Sequence, residues 1–205
     1  MVDEIPVSLN LNGKFNVYNS LAALAVGESL GFTVADVIHA LEQVPGIAGR
    51  FQKVESDQAY TVIVDYAHTP DGLENVISTA KSFAENRVIT VFGCGGDRDR
   101  TKRPLMGKIA AKLSSYCIVT SDNPRTENPE QIIADILPGV QEYMTDMAYH
   151  VEVDRKKAIQ FAIAMAQPGD VILLAGKGHE NYQEINGVKH HFDDYEIAQE
   201  VMQAK

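Results

Sequence analysis

Two cysteines among 205 residues, Cys94 and Cys117, are too few and too far apart for a disulfide framework or a cysteine-based zinc site. Positive charge is also scarce. With 18 Lys and Arg against 28 Asp and Glu, the formal net charge of −10 argues against the basic face of a general nucleic-acid binder. No window approaches the run of about 20 apolar residues that a membrane-spanning helix needs, and the N-terminus has no apolar signal-peptide stretch. These absences predict a soluble acidic protein of a reducing cytoplasm, with no nucleic-acid or membrane partner. Three chemical signatures are missing as well. Neither "GCGGDRDR" nor "AGKGHENY" supplies the Gly-x-x-x-x-Gly-Lys-Ser/Thr loop that cradles nucleotide phosphates. No Gly-x-Ser-x-Gly elbow offers an acyl-enzyme nucleophile. His68, His179, His190 and His191 lack metal-ligand spacing, so no metal site built within the chain is expected.

What is present is an ordinary balance, 45% hydrophobic and 22% charged, enough to bury a full core. From residue 60 onward, short β-branched runs alternate with helical patterns. "YTVIVD", "RVITVFG", "YCIVTS", "HVEVD" and "DVILLAG" read as strands, near-continuously apolar as strands covered on both faces are. Leu73, Val76, Ile77 and Ala80 repeat at helical spacing behind Thr69 as cap and Pro70 in the first turn. "NPEQIIADIL" starts the same way, with Asn128 and Gln131 in capping-box relation. Ala158, Ile159, Ala162, Ile163 and Ala166 mark a further helix. The alternation predicts an α/β fold: a Rossmann-like, open, mostly parallel sheet with right-handed crossovers and helices on both faces. Asn186-Gly187 inside "YQEINGVKHH" signals a hairpin, expected as an antiparallel edge. A terminal helix follows, with Asp193 and Glu196 placed as a capping box.

The first 48 residues break this rhythm. A hairpin-like segment, a helix ending at Gly31 and a second helix capped by Thr33 cannot easily close a core alone. "PGIAG", Pro45 to Gly49, reads as the boundary, giving domains over 1–48 and 49–205.

In an open parallel sheet, ligands bind beyond the carboxyl ends of the strands. Three polar loops fall there: "FGCGGDRDRTKRP", "SDNPR" and "GKGHE". Glycine lets backbone approach a ligand, and arginine offers a planar fork for carboxylate or phosphate. Each loop also fits a plainer role. A Gly-rich turn serves as a tight connection, "DRDRTKRP" as a solvated face, and "DNPR" as an Asx-turn before a helix with Arg125 paired to Asp122 or Glu127.

Read in order, "FNVYNSLAA", "GRFQ", "VDYAHTPDGL", "FGCGGDRDRTKRPLMG", "TSDNPRTENP" and "LLAGKGHENYQ" closely resemble the Mur ligase family, and within it the diaminopimelate-adding members, from about Leu11 to the end. The resemblance implies an ATP-dependent acid–amino-acid ligase of peptidoglycan synthesis, serving cell wall biogenesis, cell shape and cell division. In that family ATP, with Mg2+, activates the D-glutamate γ-carboxylate of a UDP-N-acetylmuramoyl-dipeptide as an acyl phosphate. The amine of the incoming meso-diaminopimelate then attacks it. The family fold has a UDP-sugar domain, a central ATPase domain and a C-terminal Rossmann-like domain. This sequence has no "GTNGKT"-type loop, no UDP-sugar domain and no segment bearing the family's carbamylated lysine and magnesium ligands. It therefore resembles the C-terminal third, with 1–48 as the tail of the central ATP-binding domain. The expectation is that these residues alone bind neither ATP nor Mg2+ tightly and do not turn over.

The resemblance also assigns residues. Arg125 is expected to bind the distal carboxylate of meso-diaminopimelate and Asn123 to hydrogen-bond the same end, with Asp122 of the same block beside them. Arg98 is expected to hold a substrate carboxylate, and Gly176 and Glu180 to receive the distal amino group. On the nucleotide side, Asn19 matches an adenine contact, Arg50 a ribose contact, and Asp65 with His68 the wall of the ATP cleft. Lys177 and His179 are placed near the reacting centre without a proton-transfer role, and no base for the attacking amine is identified. A lysine-adding relative would differ at Asn123 and Arg125, and a non-catalytic amino-acid-binding module also fits the missing phosphate loop.

Overall fold

The five β-branched runs form five parallel strands: β2 (Thr61–Asp65), β3 (Val88–Phe92), β4 (Tyr116–Val119), β5 (Tyr149–Val151) and β6 (Val171–Ala175). A two-residue strand, β1 (Gln52–Lys53), runs antiparallel to β2 and completes a six-stranded sheet in the order β1-β2-β6-β3-β4-β5. This computed structural model describes residues 5–11 and 13–204. They fall into two compact units, 1–47 and 48–205.

In the second unit, helices α3 (Pro70–Lys81), α4 (Lys102–Leu113) and α5 (Pro129–Gln141) pack side by side. α6 (Arg155–Ala164) packs with α7 (Asp194–Gln203). Side chains alternate along a strand. Val62, Val64, Ile89, Val91, Ile118, Ile172 and Leu174 accordingly share one buried cluster with Ala158, Ile159, Ala162 and Ile163 of α6 and Ile197, Ala198 and Met202 of α7. The intervening residues Ile63, Phe92, Cys117 and Leu173 are equally buried. Burial on both faces explains why these strands read as continuous apolar runs.

Local signals set the helix starts. Thr69 accepts a hydrogen bond from Gly72 N with Pro70 in the first turn, and Asn128 accepts from Glu130 N and Gln131 N. Gln131 does not return the bond of a capping box; its Nε2 donates to Asp135 Oδ1 at 3.3 Å. Asp193 likewise caps α7, while Glu196 turns to His191 Nε2 at 2.7 Å. In both cases a side chain outside the cap takes the second partner.

The hairpin expected as a sheet edge forms instead a separate two-stranded sheet, β7 (Tyr182–Ile185) with β8 (Val188–His191). Its register is set at Asn186 (φ 50°) and Gly187 (φ 76°), as the Asn-Gly signal requires. It attaches to a loop rather than a strand. Arg125 N donates to Glu184 O at 3.0 Å, and Asn186 N donates to Arg125 O at 2.7 Å.

In the first unit, α1 (Lys14–Ser29) ends at Leu30, with Gly31 at φ 91°, and α2 (Val34–Gln43) carries a full capping box between Thr33 and Asp36. The hairpin-like segment expected before α1 is not formed among the described residues, because the chain is already helical at residue 14; Asn12 lies outside them. No helix is long and apolar enough to cross a membrane among the described residues.

Candidate functional site

Strand β6 lies between β2 and β3, so the strand order reverses there and the loops after β2, β3, β4 and β6 converge. Together they line a cavity of about 360 Å3. Arg98 enters from the loop after β3, Asp122, Asn123 and Arg125 from the loop after β4, and Gly176 and Glu180 from the loop after β6. Tyr66, His68 and Thr69 enter from the loop after β2.

Close backbone approach holds the loops together. A Cβ at Gly96 would lie 1.9 Å from Pro124 O, and Gly96 N donates to Asn123 O at 2.9 Å. Gly176 has φ 118°, and its Cβ would lie 2.6 Å from Asp122 Oδ2. Neither position tolerates a side chain without moving the "DNPR" segment. A charged lattice reinforces the contact. Arg103, almost wholly buried on α4, donates to Glu127 Oε1 at 2.7 Å, to Asp135 Oδ2 at 2.8 Å and to Gly95 O at 3.3 Å. The hydrogen bond from Arg103 lowers the Glu127 carboxyl below its ordinary range. Burial pushes Asp135 upward, but hydrogen bonds led by Arg103 bring it below the ordinary value.

Arg125 sits in the left-handed region at φ 51°, a position that the hairpin contacts secure. Its Nη1 donates to Gly96 O at 2.7 Å and its Nε lies 3.5 Å from Glu184 Oε2. It pairs with neither Asp122 nor Glu127, the partners that a plainer role would give it. Asn123, 3% exposed, donates from Nδ2 to Glu180 Oε2 at 2.8 Å. Asp122 Oδ1 accepts from Asn123 N at 2.7 Å, while the buried Oδ2 has no hydrogen-bond partner. An orphaned carboxylate oxygen at a cavity wall is a place for a ligand donor.

The residues expected on the nucleotide side are not gathered in the same way. His68 lines the cavity, exposed, with Nδ1 2.8 Å from Tyr66 O. Arg50 stacks its guanidinium 4.6 Å from the Tyr66 ring centre, outside the cavity lining. Asp65 is buried, and its Oδ2 accepts from Phe51 N at 2.7 Å. Burial raises its pKa against the pull of the Phe51 and Ala67 backbone hydrogen bonds. Asn19 belongs to the first unit, exposed on α1, where it donates to Asn16 Oδ1 at 3.1 Å.

Lys177 is fully buried and is not part of the cavity lining, and the His179 ring lies tilted against Tyr66 with 5.1 Å between ring centres. Cys94 and Met106 also line the cavity, though the block that holds them gave neither a role, with burial pushing the Cys94 thiol up to about 12. Among the described residues no group of three or more His, Cys, Asp and Glu is arranged to hold a metal ion.

Residues 49–178 match the family model described as "Mur ligase, glutamate ligase domain". The chain is 49% identical over 203 residues to the UDP-N-acetylmuramoyl-L-alanyl-D-glutamate–2,6-diaminopimelate ligase of Syntrophomonas wolfei, covering 99% of this chain and 41% of that protein. It is 55% identical over 190 residues to the enzyme of the same name from Clostridioides difficile, covering 93% and 39%. Among solved structures, a ligase of that name superposes with a TM-score of 0.73 at 46% identity, covering 97% of this chain and 40% of the other. A UDP-N-acetylmuramate–alanine ligase from Thermotoga maritima shares the fold, with a TM-score of 0.68 at 24% identity over 98% of this chain and 40% of the other. The chain thus spans about 40% of the length of the curated relatives it matches.

Proposed function

The chain belongs to the Mur ligase family, and from that premise we propose that it forms the amino-acid-delivering part of an ATP-dependent ligase. That enzyme adds meso-diaminopimelate to UDP-N-acetylmuramoyl-L-alanyl-D-glutamate. In this reading, ATP converts the γ-carboxylate of the dipeptide into an acyl phosphate. The amine of the bound amino acid forms the amide bond as inorganic phosphate departs, and the amine loses its proton to solvent or to a base outside the assigned residues.

The observation that carries the proposal is the convergence of Arg98, Asp122, Asn123, Arg125, Gly176 and Glu180 on one cavity. The set offers guanidinium and amide donors for carboxylates alongside acceptors for an ammonium, which suits the zwitterionic distal end of diaminopimelate. We assign Arg125 to the distal carboxylate and Glu180, with the Gly176 carbonyl, to the distal ammonium. L-Lysine has no distal carboxylate, so it would leave Arg125 with only the longer Glu184 contact and forgo a charge-assisted hydrogen bond to the ligand, a loss of about 1.5–3 kcal/mol. Asn19, Arg50, Asp65 and His68 are assigned to the nucleotide. Such contacts complete themselves when domains close around substrates. Residues 1–47 are taken as the end of the ATP-binding domain.

Calorimetric titration of the chain with meso-diaminopimelate and L-lysine tests the assignment. Selective binding of diaminopimelate, weakened at least tenfold by Arg125→Ala, is expected. Selectivity retained in that variant would remove Arg125 from its role. In the same samples, ATP and the UDP-N-acetylmuramoyl-dipeptide are expected to yield no amide product; product formation would show that these residues suffice for turnover.

A further inference from the structure

Lys177 follows Gly176 at the end of β6 and is fully buried. Its Nζ lies 3.3 Å from Asn123 Oδ1 and 3.5 Å from Glu180 Oε2, with the Tyr182 and Phe192 ring centres at 5.6 and 5.9 Å. The backbone N of Glu184, on β7, donates to the same Asn123 Oδ1 at 2.9 Å.

These contacts determine what Asn123 can still offer. An amide oxygen accepts two hydrogen bonds through its lone pairs. Lys177 and Glu184 N occupy both. Of the two Nδ2 hydrogens, one goes to Glu180 Oε2. The remaining capacity is a single N–H. Turning the amide over would set its NH2 against an ammonium and a backbone N–H, and its oxygen against a carboxylate, so all three contacts would become repulsive.

We propose that Lys177 is a positioning residue for substrate choice: it holds the Asn123 amide so that a ligand meets a hydrogen-bond donor, which selects a carboxylate over an ammonium at that point. The inference rests on the assignment of this cavity to the amino acid. Glu180, braced by the same lysine, supplies the acceptor for an ammonium, so the site keeps its two poles apart. The plainer role for Lys177 is to neutralise buried carboxylates, and the two roles differ in what they do to selectivity.

The test compares three ligands in titrations of the full chain: meso-diaminopimelate, L-2-aminopimelate, which keeps the distal carboxylate but lacks the distal amine, and L-lysine. In Lys177→Met, affinity for both dicarboxylates is expected to fall about tenfold to a hundredfold, the size of one hydrogen bond to a charged group. Affinity for L-lysine should hold, so the preference collapses. Lys177→Gln, which can still donate to Asn123 Oδ1, should recover part of it. An equal fall for all three ligands would reduce Lys177 to a structural charge and overturn the proposal. A second measurement needs no folded variant. In the wild-type chain labelled with 15N-asparagine, diaminopimelate and aminopimelate should shift the Asn123 side-chain amide signals and L-lysine should not. Unmoved Asn123 signals, with diaminopimelate binding still weakened by Arg125→Ala, would overturn the positioning role alone. Absence of wild-type binding to any of the three would overturn the amino-acid site itself, and this inference with it.

Discussion

Arg155 and Asp194 are both wholly buried, joined by two hydrogen bonds of 2.8 and 2.6 Å. Arg155 Nη2 also donates to Ala175 O at 3.0 Å, so the pair ties α6 and α7 to the end of β6, one residue before Gly176. Removing one partner of a buried pair strands the other charge in a poorly solvating interior. Arg155→Met is expected to destabilise the fold by about 3–5 kcal/mol, seen as a lowered urea midpoint, and Arg155→Met with Asp194→Leu should recover most of that loss. A double variant no more stable than the single one would mean that the contact with Ala175 O matters more than charge compensation. The alternation of "AIQFAIAMA" marked α6, yet nothing in it showed Arg155 as interior, because an arginine at a helix start reads as exposed. The "DNPR" block shows the converse. Its residue types offered a fork for carboxylate or phosphate as well as a plain turn, and Arg125 lines the cavity with Asn123 beside it.

Between elements, the contact that shapes the cavity is Arg103 of α4 against Glu127, in the loop before α5, and Asp135 of α5. Both carboxyls have folded pKa values below their ordinary 4.5 and 3.8. A carboxylate depressed in this way contributes stability above its unfolded pKa, and that contribution is lost as pH falls through the lower, folded value. The melting temperature is therefore expected to drop as pH is lowered from the ordinary carboxylate range, and the gap between wild type and Glu127→Gln should narrow from pH 7 to pH 3. A gap that stays constant would show that Glu127 acts through packing alone. In the sequence "DRDRTKRP" fitted a solvated face, but its basic residues separate by burial. Arg98 and Arg100 are exposed, and Arg103 is 1% exposed. Arg98 and Arg100 lie in the loop before α4, and the helical phase of α4 turns Arg103 inward with Met106, Gly107 and Ala110. The β7–β8 hairpin shows the same limit. Asn186-Gly187 specified its turn, while its attachment to Arg125 arises from unpaired backbone groups meeting across the fold.

At the scale of the whole molecule the two units differ in the core they own. Among the described apolar residues of 1–47, only Leu24 and Ile38 are buried, and Val17, Tyr18, Leu21, Val26, Leu30 and Phe32 are exposed. Strands β2, β3, β4 and β6 of the second unit are buried almost throughout. Local opening costs least where few apolar contacts must be broken. Amide hydrogen exchange of the chain is expected to show weak protection in α1 and α2, and protection at the level of global unfolding in those four strands. Equal protection in both units would mean that they unfold as one.

The sequence by itself determined the rhythm of strands and helices, the caps at Thr33, Thr69 and Asn128, and the order in which polar loops follow strands. Each depends on residues within one or two turns of each other, so spacing suffices to express it. The tertiary structure alone decided that four loops meet in one cavity, that Lys177 is buried, and that Lys177 Nζ and Glu184 N both meet Asn123 Oδ1. Lys177 and Asn123 are 54 positions apart, and Asn123 and Glu184 are 61 apart. No local pattern carries that information. It arises when β6 inserts between β2 and β3 and brings the loops after these strands to one place, where buried polar groups must find partners.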